Sequence, residues 1–250
     1  MFKEFFMVFL IVIVHEFGHF IMAKYFRWNF DKIVIYPFGG CTKFDEKVNC
    51  SMKEEFFILI CGPLFQFFLF FIVYILMQYG FVSYRNYLIF SNYHYTLLIF
   101  NLLPIYPLDG GKLLNIVVNY FFSYKRGNIF VIFVSIVFIF SVMFLYRSFN
   151  FVLMGMLLLF EIFLYFKRQN FLYNKMLLEK YMYCFYFNRF SVVSNKNSMY
   201  RNRRHVVLYN GKYITEREYL DKRFRWFCEK VYSIFYFIIF CVFSFFFCWF

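Results

Sequence analysis

The sequence predicts an all-α polytopic membrane protein, and both its composition and the spacing of its apolar runs support this fold class. Of the 250 residues, 63% are hydrophobic, and the mean hydropathy is +0.59. Soluble domains contain about 45–50% apolar residues, so this composition excludes the soluble enzyme classes. Apolar runs occur at about 5–26, 56–77, 87–103, 129–146 and 150–166. Each run approaches the roughly 17–25 residues that a helix needs to cross the hydrocarbon core of a bilayer.

The basic residues predict how these helices are oriented. The net charge is +13, and Lys and Arg gather on cytoplasmic loops and near anionic lipid head groups. Five of them lie within 27–55, three lie within 104–127, and the opposite side carries only Lys3, Arg85 and Arg147. Both intervals and the basic region after the last run are therefore predicted to be cytoplasmic. The expected partner of this charge is the lipid bilayer, with no direct nucleic-acid partner.

The first apolar run contains the motif His15-Glu16-Phe17-Gly18-His19. Positions i and i+4 share a helix face, so His15 and His19 can present two imidazole nitrogens to one ion. With Glu16 beside them, the arrangement is the H-E-x-x-H of zinc peptidases, which provides two ligands and a general base. Ionisable groups at membrane depth cost roughly 2.5–3.5 kcal/mol each on insertion scales, which makes them functional candidates. Histidines that only join packed helices by hydrogen bonds are the structural alternative.

Asp109 follows the cytoplasmic end of the third apolar run, at the depth expected for the two histidines. Together with His15 and His19 it would supply three protein ligands and leave the fourth zinc position open for water. Catalytic zinc sites have this arrangement, whereas structural sites are closed. His94 falls in what we interpret as a polar and aromatic turn at the outer membrane interface, too far away to be a ligand.

The segment between the first two runs predicts a β-hairpin. Residues 32–36 and 41–44 flank Pro37-Phe38-Gly39-Gly40, which are turn residues. A strand edge beside the metal would hold an extended peptide by main-chain hydrogen bonds. A plain connecting loop is the alternative. Gly62-Pro63 in the second run indicates either a kink that opens room for water or a packing feature.

A short α+β pattern follows the last apolar run. His205–Tyr209 predicts a strand, Asn210-Gly211 a turn, and Thr215 with Glu218 a capping box that opens a helix. Val231–Phe250 is nearly uncharged and long enough to span a bilayer or to lie in it. The sequence leaves open whether this tail is a sixth span.

Several of these segments together resemble the site-2 protease family in their order and spacing. They are His15–His19, Tyr36–Gly40, Gly62–Leu64 and Asn101–Lys112. The closest likeness is to the stage IV sporulation factor B branch, which residues 177–181 also resemble. The resemblance covers about residues 5–181. It implies a site-2 protease core of transmembrane helices, a small β-hairpin near the active site and a short cytoplasmic α+β remnant.

The resemblance implies one Zn²⁺ per chain, bound by His15, His19 and Asp109, with Glu16 as the catalytic residue that activates water. The implied function is an intramembrane zinc endopeptidase that cleaves a membrane-tethered protein near the cytoplasmic face. In this branch the substrate is the precursor of a sporulation sigma factor, and membrane inhibitor proteins regulate the protease. Formation of a homo-oligomer is left open.

Asn101 and Pro107 match positions that the family uses near substrate and metal. An intramembrane Asn can hydrogen-bond a peptide or its developing oxyanion. Pro107 removes a backbone donor and bends the chain that enters Asp109. For Asn101, hydrogen bonding between helices is an alternative role.

The resemblance also divides the chain into regions. Residues 1–168 would form the transmembrane metalloprotease core, and 169–230 a basic cytoplasmic region with a reduced cystathionine-β-synthase-like segment at 190–225. Residues 231–250 would form the apolar tail. The segment at 190–225 is too short for a full nucleotide pocket. The sporulation branch has a further transmembrane segment before the H-E-x-x-H helix, whereas only four residues precede the first apolar run here.

Two other functions fit parts of the pattern. A general site-2 protease would process anti-sigma factors or remnant signal peptides, but such relatives often carry a PDZ domain, and no segment here is long enough for one. A non-catalytic membrane scaffold or metal carrier would need the metal ligands but no base beside them. Glu16 therefore favours the protease.

Overall fold

Eleven helices and strands make up the described part of the computed structural model, followed by a helical segment at 216–225. The structure describes residues 2–28, 30–36, 39–44, 48–145, 148–183, 185, 187, 189–194, 198–209 and 211–225, with the backbone alone for 30–36 and 39–44. The helices are α1 (Phe2–Tyr25), α2 (Met52–Gln78), α3 (Tyr84–Leu102), α4 (Asp109–Phe121), α5 (Tyr124–Leu145) and α6 (Phe149–Met182). The strands are β1 (Phe30–Tyr36), β2 (Gly39–Phe44), β3 (Phe190–Val193), β4 (Arg204–Tyr209) and β5 (Lys212–Thr215). The predicted helical membrane fold with two small β elements is confirmed.

Within the described ranges, four helices are long and apolar enough to cross a membrane, namely α1, α2, α5 and α6. They coincide with the first, second, fourth and fifth predicted runs. The third run forms α3, a helix of 19 residues that does not belong to this group. Polar residues such as Asn92 and His94 interrupt its apolar run. The helix that contains the fifth run, α6, continues beyond residue 166 to Met182.

The helices expose phenylalanines and bury polar side chains. Phe68 and Phe133 are 63% and 64% exposed, whereas Gln66, His94 and Asn128 are fully buried. In a bilayer the lipid covers such an apolar exterior, and interhelical hydrogen bonds and close packing hold the helices together. Buried polar groups in this chain therefore mark where helices meet.

The segment between α1 and α2 is a hairpin rather than a plain loop. Strands β1 and β2 pair antiparallel, with Val34 opposite Cys41 and Tyr36 opposite Gly39. Pro37 and Phe38 of the predicted turn lie outside the described residues. Strand β2 runs beside α1, so the hairpin adjoins the helix that carries His15 and His19.

Helix α4 is an element that the sequence interpretation missed. Its 13 residues are too few to span a bilayer. It is joined to α5 and α6 by an amide cluster of Asn119, Asn128 and Gln169. The Asn119 Nδ2 donates to Asn128 Oδ1 at 3.0 Å, and Asn128 Nδ2 donates to Gln169 Oε1 at 2.8 Å. These bonds fix the C-terminal end of α4, ten residues beyond Asp109, against α5 and α6.

The C-terminal region is a small α+β unit, as predicted. In the described residues its sheet has the order β3-β4-β5, with β3 parallel and β5 antiparallel to β4. The predicted strand at 205–209 lies within β4. Gly211 has a φ of +77°, as a tight turn requires. The Glu218 N–H donates to Thr215 Oγ1 at 3.3 Å, so Thr215 caps the helix that follows.

Buried polar contacts tie this unit to the membrane helices. Arg201 is 6% exposed, and its Nη1 donates to Glu55 Oε2 at 2.8 Å while its Nη2 donates to the Cys50 carbonyl at 3.2 Å. A separate contact holds the end of α6 to the segment before α2, where the Glu179 carboxylate accepts the backbone N–H of Asn49 at 2.9 Å. The predicted tail at 231–250 lies outside the described residues, so its placement stays a prediction.

Candidate metal centre

Three buried side chains converge between α1 and the start of α4. His15 Nε2 lies 2.9 Å from Asp109 Oδ2, His19 Nε2 lies 3.1 Å from the same oxygen, and the two Nε2 atoms are 3.2 Å apart. His15, His19 and Asp109 are 2%, 4% and 7% exposed. The structure thus brings together all three side chains that the sequence interpretation proposed as ligands.

The outer contacts of the two imidazoles determine where their protons lie. His19 Nδ1 lies 2.8 Å from the Ile58 carbonyl oxygen, so this nitrogen carries the proton and donates. His15 Nδ1 lies 3.1 Å from the Oε1 of Gln66 and donates in the same way. A neutral imidazole has one donor and one acceptor nitrogen. Both Nε2 atoms therefore direct lone pairs towards Asp109.

This arrangement fits a cation. Three lone-pair-bearing atoms within 3.2 Å of one another repel unless a positive charge lies between them. In a tetrahedral site with metal–nitrogen bonds of 2.0–2.1 Å, neighbouring ligand atoms are about 3.3 Å apart. The observed spacing is close to that edge. Two imidazoles with one carboxylate is also a donor set used by catalytic zinc.

Two glycines let α1 and α2 approach closely at this point. A Cβ on Gly18 would lie 2.5 Å from the Cys61 carbonyl oxygen, and a Cβ on Gly62 would lie 2.3 Å from His19 Nε2. The candidate metal centre therefore requires a glycine at position 62, because a Cβ there would clash with His19. Of the two readings left open for Gly62-Pro63, the contact at Gly62 supports the packing feature.

Asp109 reaches the histidines because the chain turns sharply after α3. A Cβ on Gly110 would lie 2.2 Å from the Leu102 carbonyl oxygen, and one on Gly111 would lie 2.4 Å from the Ile105 carbonyl carbon. Only residues without a side chain allow α4 to begin against the end of α3 in this way. The Nζ of Lys112 lies 3.4 Å from Asp109 Oδ1, on the oxygen that faces away from the histidines.

The remaining predicted site residues lie close by. Glu16 follows His15 on α1 and is half-buried. On α3, Asn101 places its Nδ2 3.4 Å from His15 Nε2, so it borders the centre. Pro107 lies two residues before Asp109, in the turn between α3 and α4. Their roles in catalysis stay predictions.

The assignment of His94 to the outer interface is wrong. His94 is fully buried on α3 and stacks on Phe70 with a centroid separation of 4.6 Å. Its carbonyl oxygen accepts from Gln66 Nε2 at 2.9 Å, which links it through Gln66 to His15. The sequence interpretation overlooked Gln66. The signal available in the sequence was that Gln66 lies four residues after Gly62, the same spacing that separates His15 from His19.

Comparison with known proteins gives the same family likeness. Residues 4–90 match Peptidase family M50. Stage IV sporulation protein FB of Bacillus subtilis (strain 168) is 41% identical over 105 residues, which are 42% of this chain and 36% of that protein. A zinc metalloprotease of Methanocaldococcus jannaschii is 29% identical over 127 residues, or 50% of this chain and 37% of that protein. The chain thus matches little more than a third of the length of either relative.

A solved structure extends the likeness to the fold. The site-2 protease from Methanocaldococcus jannaschii superposes with a TM-score of 0.52 at 24% identity, covering 63% of this chain and 74% of that chain. The match to Peptidase family M50 includes His15, Glu16 and His19 but ends before Asp109, whose place at the centre rests on the geometry. In the sequence of residues 4–90 and in its fold, the resemblance of this chain to the site-2 protease family is therefore confirmed.

Proposed function

We propose that this chain is an intramembrane zinc endopeptidase. The observation that carries the proposal is the convergence of His15 Nε2, His19 Nε2 and Asp109 Oδ2 with their lone pairs directed at one another. These three residues would hold one zinc ion. When bound, zinc supplies Lewis-acid polarisation of a carbonyl and acidifies a water molecule towards a pKa of about 7.

The residues around the centre would transfer the proton and stabilise the reacting substrate. Glu16, next to His15, would take a proton from the attacking water and pass it to the amine that leaves. Asn101 borders His15 and has an amide N–H that can stabilise charge developing on the carbonyl oxygen of the cleaved bond. Proximity of a base, a polar donor and three ligands at one buried point supports peptide hydrolysis rather than metal storage.

The hairpin between α1 and α2 offers a strand edge that would hold a substrate peptide. In the described backbone, β1 and β2 pair only with each other, so each has one unpaired edge. An extended peptide can add to such an edge through main-chain hydrogen bonds, with little demand on its sequence. Because β2 runs beside α1, an added strand would pass near the metal centre.

The proposed substrate is a membrane-tethered protein, cleaved near the cytoplasmic face. The distribution of Lys and Arg supports this orientation. Within this class, the specific candidate is the precursor of a sporulation sigma factor, with membrane inhibitor proteins as regulators. Similarity to Stage IV sporulation protein FB supports that choice.

Co-expression of the full chain with a tethered candidate precursor tests the proposal. Glu16→Gln is expected to lower cleavage by about 10²–10⁴-fold, the usual contribution of a general base, while the purified protein keeps its zinc. Asp109→Ala is expected to lose both cleavage and zinc. Glu161→Gln on α6, an exposed position, removes the same charge away from the centre and should cleave like the wild type.

The same experiment separates the alternatives. If Glu16→Gln processes the precursor at the wild-type rate, the protease proposal is wrong, and retained zinc would then favour a metal carrier. Replacing the sigma-factor precursor with a tethered anti-sigma factor or a remnant signal peptide distinguishes the general site-2 protease.

A further inference from the structure

We propose that Gln66 is a positioning residue that fixes the tautomer and the ring orientation of His15. This inference rests on the proposed zinc site and concerns how the site is kept ready for the ion. Gln66 lies on α2, is fully buried and does not reach the ligand atoms. It contacts the side of the His15 ring that faces away from Asp109.

The tautomer matters because only one form of a neutral histidine can bind a metal through Nε2. If the proton were on Nε2, it would occupy the direction in which the ion must lie. The Oε1 of Gln66 accepts from Nδ1 of His15 at 3.1 Å, which holds the proton on Nδ1 and leaves Nε2 bare. Partners of this kind orient metal-binding histidines and raise their basicity.

The orientation of the Gln66 amide is itself determined. Its Nε2 donates to the His94 carbonyl oxygen at 2.9 Å. A flipped amide would place oxygen against oxygen at that distance, so Oε1 must face His15. The His94 carbonyl on α3 thereby fixes the orientation of the Gln66 amide on α2. That amide in turn fixes the orientation of the His15 imidazole on α1.

The short contact to Gln66 comes from the His94 backbone carbonyl, and the His94 ring makes only a long one. The His94 Nδ1 lies 3.5 Å from Gln66 Nε2. Within the described residues, the Nε2 of His94 has no hydrogen-bond partner. The ring instead packs against Phe70 and Phe67, with centroid separations of 4.6 and 5.5 Å. Replacing the ring by phenylalanine should therefore leave the Gln66 contact in place.

The two histidines differ in how they can be tested. His19 is oriented by the carbonyl oxygen of Ile58, which no side-chain substitution removes. His15 is oriented by a side chain, so a single substitution can release it. The difference makes Gln66 the position at which the outer support of the centre can be withdrawn without touching a ligand.

Zinc binding by the detergent-solubilised full chain tests the inference, using competition with a chelator of known affinity. Gln66→Leu is expected to weaken zinc binding by about 10–100-fold, as for other residues that orient metal ligands. The visible absorption of the Co²⁺-substituted protein should also change, because the imidazole is no longer held in one orientation. Gln66→Glu, as the neutral acid that burial favours, keeps an acceptor oxygen towards Nδ1 and an O–H donor towards the His94 carbonyl, so it should recover most of the affinity. His94→Phe should bind zinc like the wild type.

Gln169→Leu is the matched control. It removes a buried membrane amide that accepts from Asn128, away from the metal centre, so it should lower thermal stability without changing zinc affinity or the Co²⁺ spectrum. The inference is wrong if Gln66→Leu binds zinc within about threefold of the wild type with an unchanged Co²⁺ spectrum. It is also wrong if Gln169→Leu weakens zinc binding equally. A wild-type chain that binds no zinc would instead reject the proposed function, and this inference with it.

Discussion

Two clusters in this molecule contain the same types of side chain but arrange their hydrogens in opposite ways. The metal centre has His15, His19 and Asp109, with Lys112 beside the carboxylate. The second cluster, which we call the C-terminal cluster, consists of His205, Glu216 and Lys180. Both combine histidine, a carboxylate and a lysine in a largely buried setting.

In the C-terminal cluster each acceptor meets a donor. His205 Nε2 accepts the Tyr200 N–H at 2.9 Å, so Nδ1 carries the proton and donates to Glu216 Oε1 at 3.1 Å. Lys180 donates to the same oxygen at 3.0 Å and to the carbonyl oxygens of Tyr200 and Arg203, both at 2.9 Å. Donors and acceptors alternate, and the charges of Lys180 and Glu216 compensate each other.

The metal centre is the reverse case. The Nδ1 protons of its histidines point outwards to Gln66 and Ile58, and the three atoms that converge, the two Nε2 atoms and Asp109 Oδ2, are all acceptors, with the Asn101 amide at their border. The C-terminal cluster pairs its acceptors with donors, whereas the candidate metal centre groups three acceptor atoms that a cation would hold together. The direction of the hydrogens therefore distinguishes a structural cluster from a metal site more sharply than residue type does.

The largest predicted effect comes from filling the space beside His19. In Gly62→Ala the added Cβ would lie 2.3 Å from His19 Nε2, so we expect zinc affinity to fall by more than the roughly 10–100-fold caused by changes beyond the ligands. Zinc per chain after dialysis against a chelator measures this. Gly155→Ala is the control, because its Cβ would meet only the flexible end of Met143, at 2.7 Å from the sulfur. Equal zinc content in the two variants would contradict the steric role of Gly62.

Breaking the C-terminal cluster should have a smaller effect that spares zinc. The side chain of Lys180 is 3% exposed, and removing one partner of a buried ion pair costs about 3–5 kcal/mol. Lys180→Met should therefore speed hydrogen exchange in β4 while zinc content stays unchanged.

Lys222→Met provides the comparison for that experiment. Lys222 pairs with Glu218 at 2.9 Å, with both side chains 50% exposed, and such surface pairs contribute about 0–1 kcal/mol. Exchange in β4 should barely change in this variant. Zinc loss in Lys180→Met would show that the two clusters are coupled, contrary to the contrast drawn above.

The smallest effect is a pH dependence of the C-terminal cluster. Burial lowers the pKa of His205 and outweighs the opposing hydrogen bond to Glu216. Below about pH 6.5 the unfolded chain takes up this proton first, so the local stability should decline as the pH falls towards the lowered pKa of folded His205. Burial favours a raised pKa for Glu216, but His205 and Lys180 outweigh it and lower the pKa, which adds a further loss at more acidic pH.

Hydrogen exchange of β4 at several pH values, corrected for the intrinsic rate, measures this decline. His205→Asn keeps a donor towards Glu216 but does not titrate. Its exchange should lose the pH dependence that begins near pH 6.5. A persistent slope in this variant would assign the effect to another group.

Elements with a strong local pattern could be predicted from the sequence. The apolar runs predicted the four helices that are long and apolar enough to cross a membrane. Turn residues flanked by strand-forming segments predicted the β1–β2 hairpin. Helix α4 was missed because its 13 residues follow directly on a turn and have no flanking signal as strong as an apolar run. Helix α6 continues about four turns beyond the apolar run that ended at residue 166, and contacts such as Glu179 with Asn49 hold its end.

His94 shows where sequence pattern fails. A histidine among tyrosines and asparagines is typical of a membrane interface, yet this one is fully buried, because Phe70 and Gln66 of α2 cover it. Burial of a residue on α3 depends on which face meets α2. Which face of α3 meets α2 follows from the packing of all the helices. A short stretch of sequence does not contain that information.

The sequence by itself determined that His15 and His19 share one face of a membrane helix, since residues four apart lie one turn apart in any α-helix. The place of Asp109 after the third apolar run predicted it as the third member of the group. Only the tertiary structure decided that its carboxylate, 90 residues beyond His19, reaches both Nε2 atoms, and that the protons of both imidazoles point away from it. Tautomers depend on the partners of the outer nitrogens, Gln66 and the carbonyl of Ile58. Those partners belong to another helix and are brought into place only when α1 and α2 pack at Gly18 and Gly62.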